Sequence, residues 1–333
     1  MRREIDILKQ PIPTLLATFV LLLTAQTLRA RLAPTPAESI EGILSPLGVW
    51  IDATLGNIGS LVAVILSAII SSVIITRIIS RYSLSVVRSL VPMVLFVVGV
   101  CGVTFPIGSA AIMAVMLMVV HATDLMIMSF KRSERFSEVM RASFWTGLAA
   151  LIVPDLVYVL ALLPLQWLIW QRSPREMVAG AIMAILPLLP ASFAWWVGGK
   201  EPLWFAEAWS QGITPLHAPN LVMLYDSVGA LLPTILFGVL LLLTLVSIVV
   251  TLGGFNSMRL RARKGHIYFA ILYLVGLFML LLGSEPAVAL PLMGYASVPF
   301  IHTFFVRRKG ALGVIIYIMV VAIALAAAIL PIV

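Results

Sequence analysis

The sequence predicts an all-α, polytopic transmembrane helical bundle, one integral membrane domain over residues 1–333 with about eleven spans and a cytoplasmic N-terminus. Three observations predict it. Hydrophobic residues make up 62% of the chain and charged residues only 11%, with a mean hydropathy of +1.11; an average soluble domain is about half apolar and about a quarter charged. A chain this poor in polar side chains cannot cover itself for water, so the apolar excess must face lipid. Apolar runs near 20 residues long, the length that about 30 Å of hydrocarbon requires, recur along the sequence. Between alternate runs lie short clusters of Lys and Arg.

The runs fall at about 12–29, 57–79, 89–105, 108–130, 142–153, 154–171, 177–198, 227–252, 266–283, 286–305 and 311–332. Met1-Arg2-Arg3 ahead of the first run mimics a signal peptide. No small-residue cleavage site follows it, and the run reads as a retained helix. Ala142 to Trp170 is long for one helix and short for two. Pro154, in its middle, lacks the amide hydrogen that a helix interior needs, so two short helices meeting at Pro154-Asp155 are expected.

Charge fixes the expected orientation. Arg2, Arg3 and Lys9 precede the first run; Arg77, Arg81 and Arg88 follow the second. Lys131, Arg132, Arg135 and Arg141 follow the fourth, Arg172 and Arg175 the sixth. Arg259, Arg261, Arg263 and Lys264 follow the eighth, and Arg307, Arg308 and Lys309 the tenth. These nineteen of the 22 basic residues share one side, and only Arg29, Arg31 and Lys200 take the other. Basic residues mark the cytoplasmic face, which implies a bacterial inner membrane. A single helix at 142–171 would invert everything downstream. The net charge of +8 is thereby explained by orientation and anionic lipid, not by nucleic acid. Trp50, Trp195, Trp196, Trp204 and Trp209 gather at the expected outer boundary and Trp145, Trp167 and Trp170 at the inner one. The lone Cys101, in an apolar run, reads as a small buried hydrophobe.

Two outer connections exceed a turn. Residues 30–56 place Ile40, Ile43, Leu44, Leu47 and Ile51 at helical spacing with Glu38, Glu41 and Asp52 between them, the pattern of an amphipathic helix on the outer leaflet. Residues 199–226 carry Trp204, Phe205 and Trp209, then Pro215, Pro219 and Asn220, which reads as a short interfacial helix and an irregular segment.

No nucleotide-binding loop, HExxH or nucleophile elbow is present. Three groups of residues can carry chemistry. Glu38, Glu41 and Asp52 are catalytic candidates, one carboxylate acting as general base and another holding a divalent metal. Glu207, Asp226 and Glu285, with His217, join them outside, and ordinary solvated acids would look the same. His121 and Asp124, three apart in the fourth run, share a helix face at membrane depth. They form either a proton relay or a mutually satisfied packing pair. Asp155 either lines a cavity or caps the helix after Pro154; Trp204, Trp209, His217 and Asp226 complete the candidate substrate cavity. Arg259, Arg261, Arg263 and Lys264, beside His266, are dense enough to hold a lipid phosphate, although topology alone would place them there. His302 is expected at the inner interface with Arg307 and Arg308.

Two resemblances follow. Phe144-Trp145-Thr146-Gly147, Leu148-Ala149-Ala150-Leu151, Pro154, Arg175-Glu176-Met177 and Leu186-Pro187 resemble a family of Bacteroidota membrane proteins without an established activity. So do Leu290-Pro291, Val298-Pro299, Phe304-Phe305 and Arg307-Arg308-Lys309 near the end. The arrangement of one helix, an outer loop with a surface helix and then many spans resembles the GT-C membrane glycosyltransferases. That resemblance implies a polyprenyl-phosphate-linked sugar as substrate and an acidic catalytic residue in the first outer loop. The class commonly has its acid just after the first helix, where this chain has Arg29-Ala30-Arg31. Three functions are therefore expected to compete: an outer-face glycosyltransferase or glycan polymerase, a proton-coupled transporter or lipid-linked glycan flippase, and a non-catalytic scaffold of an envelope complex.

Overall fold

The computed structural model describes residues 12–32, 42–85, 87–102, 109–130, 136–214, 231–282, 286–307 and 310–329. Among them there are helices and turns and no strand. In order, the helices are α1 (Ile12–Leu32), α2 (Pro46–Arg81), α3 (Val91–Phe96, continuing as a π turn Val97–Cys101), α4 (Ala110–Ser129) and α5 (Phe136–Ile152). A 3-10 turn at Pro154–Leu156 leads into α6 (Val157–Ala161) and α7 (Leu163–Ile169). Then come α8 (Pro174–Ile185), α9 (Leu188–Val197), α10 (Trp204–Gln211), α11 (Leu231–Leu252), α12 (Leu260–Leu281), α13 (Pro286–Arg307) and α14 (Ala311–Ile329).

Eight helical segments among the described residues are long and apolar enough to cross a membrane: those of α1, α2, α4, α8 with α9, α11, α12, α13 and α14. Val91–Cys101, Phe136–Ile152 and Pro154–Ile169 are shorter. The described parts of the runs marked in the sequence lie mainly on helices. Ile182, Val249 and Ile315 on the outside of the bundle are 61%, 68% and 63% exposed, a surface that hydrocarbon solvates and water does not. The fold is thus that of a helical bundle compatible with an integral membrane protein.

Local chemistry sets the helix starts. Ser45 caps α2 through Gly48 N–H, and Ser109 caps α4 through Ile112 N–H. Ser173 and Glu176 cap each other's backbone at α8, with Pro174 in the first turn. Gly56, at φ +59°, bends α2 and separates an arm at 46–55 from the long remainder. That arm carries Leu47 and Ile51, part of the surface helix expected at 30–56. Residues 33–41 lie outside the described residues.

The chain reverses at Pro154. Seventeen residues of α5 span about 25 Å, and α6 with α7 returns a similar distance. The return is complete: Arg172, just past α7, donates to the carbonyl of Ser129 at the end of α4, from which α5 departed. Two helices meeting at Pro154, as the sequence predicts, describe this stretch.

At the centre stands α13, buried from Val288 to Val306 and enclosed by α12, α11, α4 and the α3 π turn. Gly99 and Gly294 let the π turn and α13 touch backbone to backbone; a Cβ on Gly294 would overlap the Gly99 carbonyl. Pro291 and Pro299 interrupt the hydrogen-bond ladder of α13 at this depth.

Candidate functional site

One end of the bundle is rich in tryptophan, and the broken segment at Pro154 organises it. Ser45 N–H donates to the Ile152 carbonyl at 3.0 Å and so docks the start of α2 on the end of α5. Trp209 of α10 reaches the same place, its indole N–H 2.8 Å from the Ala150 carbonyl. The fully buried Asp155 accepts from the Thr214 N–H at 2.8 Å and from the Thr214 hydroxyl at 3.0 Å. Tyr158 donates to the Thr214 carbonyl. The polypeptide after α10 is therefore clamped onto the break.

Between these elements lies an open groove of about 500 Å³. Its walls are Gly42, Leu44, Pro46, Val49 and Trp50 on one side and Trp195, Ala208, Gln211 and Gly212 on the other. These belong to the two connections that the sequence singles out, with α9 closing the side. Trp195 stacks on Trp204 with centroids 6.4 Å apart, and Lys200 Nζ sits 5.0 Å above the Trp204 ring.

The candidate residues divide. Asp52 lies on α2 and accepts from the Ala111 N–H at 3.0 Å, while Ser60 accepts from Ala110; its role is to hold the start of α4. Asp155 holds Thr214 and is not a wall of the groove, and Val153 occupies the cap position that the sequence offered to Asp155. Trp209 is committed through its N–H, and Trp204 backs Trp195. Glu207 is exposed on α10. Glu38, Glu41, His217, Asp226 and Glu285 lie outside the described residues. Among the described residues no three His, Cys, Asp or Glu side chains gather to hold a metal ion.

The opposite end is rich in arginine. Asp124, 2% exposed, pairs with Arg77, whose side chain is 55% exposed, and accepts from the Tyr82 hydroxyl at 2.8 Å. Burial, then the Asp124 charge, raises the Tyr82 hydroxyl well above its ordinary pKa, so it stays a donor. His121, by contrast, sets its ring edge-on to Trp145 at 5.8 Å. Asp124 thus takes its hydrogen bonds from α2 and the turn after it, not from its neighbour on the same face. The sequence held a signal for this. A buried carboxylate requires a cation at its own depth, and Arg77 is the deepest arginine of its cluster.

The other cations reach helix ends. Arg172 donates to Ser129 O, Arg261 to Phe130 O at 3.3 Å, Lys264 to Ile169 O at 2.6 Å and Arg307 to Val250 O at 2.7 Å. Each meets the carbonyl-rich, negative end of a neighbouring helix. Arg263 donates to Met258 O, and Arg259 is exposed at the cap of α12. Arg261 also lies 5.8 Å above the Tyr82 ring and 5.7 Å above Phe130. Of the expected lipid-phosphate set, Arg261 and Lys264 therefore serve first as helix caps. His302 is buried with its Nε2 2.9 Å from Ser89 Oγ, next to Arg88 in the turn between α2 and α3.

No family model matches the chain, and comparison with curated proteins and with solved structures returns no match. A small cavity of about 20 Å³ lies beside the Gly99–Gly294 crossing, lined by Thr244, Tyr273 and Ser297 among apolar side chains.

Proposed function

We propose that the chain is a multi-pass protein of a bacterial inner membrane, N-terminus and arginine-rich end in the cytoplasm. In this reading it acts as a GT-C-like glycosyltransferase or glycan polymerase on a polyprenyl-phosphate-linked sugar at the outer face. The observation that carries it is the tryptophan-walled groove. Its volume lies in the range of small-molecule sites, and the Trp50 and Trp195 rings offer faces on which a sugar can stack. With Asp52 and Asp155 engaged in holding backbone, the acid–base role falls to Glu38 and Glu41. Glu41 is bonded directly to Gly42, a wall of the groove.

The test compares surface glycans of cells carrying Glu38→Gln, Glu41→Gln and the double variant at wild-type membrane levels. Loss of a glycan species in the double variant is expected. An unchanged glycan profile rejects the enzyme.

A second reading, transport, has its own support in the proline-interrupted α13 facing a π turn and the hydroxyl-lined cavity between them. Interrupted buried helices line pathways in many transporters. Asp124 is neutralised by Arg77, so such a pathway runs through the α3–α11–α13 contact and not through His121. Flux into proteoliposomes lost in Ser297→Ala and kept in Asp124→Asn would favour it over the enzyme.

A further inference from the structure

Two exposed arginines of the arginine-rich end lie deeper than the helix ends beside them. Arg77 stands four residues before the end of α2 and Arg141 five residues after the start of α5, so each sits about 6–8 Å inside its helix. Helix α4 packs against both α2 and α5 and presents His121, which is partly exposed. The His121 ring meets Trp145 of α5, and both Arg141 and Arg77 lie close enough to act on its charge. Arg77 gives one terminal nitrogen to Asp124 and keeps the rest of a side chain that is 55% exposed. Among the described residues Arg141 enters no hydrogen bond or ion pair. The acids nearby are engaged: Asp124 by Arg77 and Tyr82, and Glu138, a turn nearer the start of α5, by the Ser137 hydroxyl. A guanidinium that faces hydrocarbon is costly unless an anion meets it there.

We infer that Arg77 of α2 and Arg141 of α5, with His121 of α4 beside them, hold the phosphate of a membrane lipid. Each guanidinium presents paired N–H donors to phosphate oxygens. Lipid, rather than free phosphate, is the source because apolar side chains continue the same helix faces. Val73, Ile70 and Leu66 precede Arg77 by four, seven and eleven residues, one stripe of α2, and are 49%, 45% and 52% exposed. Trp145 and Leu148 follow Arg141 by four and seven residues on α5, and both are partly exposed. An acyl chain can run along these stripes from a headgroup held at the arginines. The site shares no residue with the walls of the groove, so neither stands or falls with the other.

The experiment uses the full chain purified in neutral detergent, with lipid retention followed by native mass spectrometry and stability by thermal unfolding. The probes are phosphatidylglycerol, diacylglycerol of the same chains, and inorganic phosphate. Phosphatidylglycerol is expected to be retained and to raise the unfolding temperature, and diacylglycerol to do neither. Arg77→Gln would also strand Asp124, so Arg141 supplies the decisive variant. Arg141→Gln should weaken phosphatidylglycerol retention by about tenfold, the loss of one charged hydrogen-bonding group, and leave the lipid-free unfolding temperature unchanged. Arg141→Lys, which keeps the charge without the paired donors, should fall between the two. Arg175→Gln, at an exposed position on α8, removes the same charge from elsewhere on this end and should leave retention as it is. Equal weakening by Arg175→Gln and Arg141→Gln would mean diffuse attraction to anionic lipid and would overturn the site. Unaltered retention in Arg141→Gln would overturn it too, and an equal response to inorganic phosphate would overturn the lipid assignment. If Arg141→Gln fails to fold, Arg141→Lys decides, and unaltered retention in it overturns the proposal.

Discussion

Trp209 supplies to the Ala150 carbonyl the hydrogen-bond donor that Pro154 lacks. In an uninterrupted helix the amide of residue 154 would reach back four positions to residue 150; proline has none, and an indole from a helix 50 residues onward stands 2.8 Å away in its place. Trp209→Phe keeps most of the ring and removes only the donor. It should cost about 1–2 kcal/mol, the desolvation of one unpaired buried carbonyl, read as a lower unfolding temperature in detergent. The apolar Phe205, fully buried on the same helix, keeps α10 in place, so the variant should still fold.

The Arg77–Asp124 pair should respond asymmetrically. Arg77 is more than half exposed and can turn to water, whereas Asp124 cannot. Arg77→Gln strands a buried carboxylate with Tyr82 as its remaining named donor, at a cost of about 3 kcal/mol. Asp124→Asn leaves an amide that still accepts from Tyr82, and should cost about 1–2 kcal/mol. Equal losses, measured by denaturant unfolding of the two variants, would contradict the burial difference.

Gly294→Ala should be far worse than Gly99→Ala. A methyl on Gly294 would overlap the Gly99 backbone, whereas one on Gly99 would approach the Gly294 carbonyl at 3.0 Å. Overpacking of this kind costs about 1–3 kcal/mol, more where backbone cannot yield. Thermal unfolding of the purified variants, and their yields in the membrane fraction, should follow that order.

Cysteine labelling checks the chain reversal at Pro154. Cys101, fully buried, gives no background towards a membrane-impermeant maleimide. Ser137→Cys and Ser210→Cys, both at exposed positions, should label from opposite sides of sealed vesicles. Labelling from the same side would mean that α5 does not carry the chain from one end of the bundle to the other.

Helix positions were legible in the sequence because apolar length and basic clusters are local properties. The break at Pro154 was legible because proline acts on its own helix. The partners were not. Asp124 looks towards His121 in a linear reading, since three residues bring them to one face, yet Arg77 and Tyr82 arrive from a helix 40 or more residues earlier. Asp52 reads as a free outer acid until the start of α4 is brought beside it. The tryptophans were marked as an interfacial belt, and only the packing of α9, α10 and the α2 arm turns two of them into walls.

The helix at the centre of the bundle touches almost no lipid, and this bears on how the chain enters a membrane. A segment carrying two interior prolines, a glycine, a tyrosine, a histidine, serine and threonine gains little from partitioning alone. It becomes comfortable only when α3, α4, α11 and α12 already surround it. Its release from the insertion machinery should therefore wait for its neighbours, so that truncations ending shortly after Arg307 are retained while those lacking α11 or α12 are degraded.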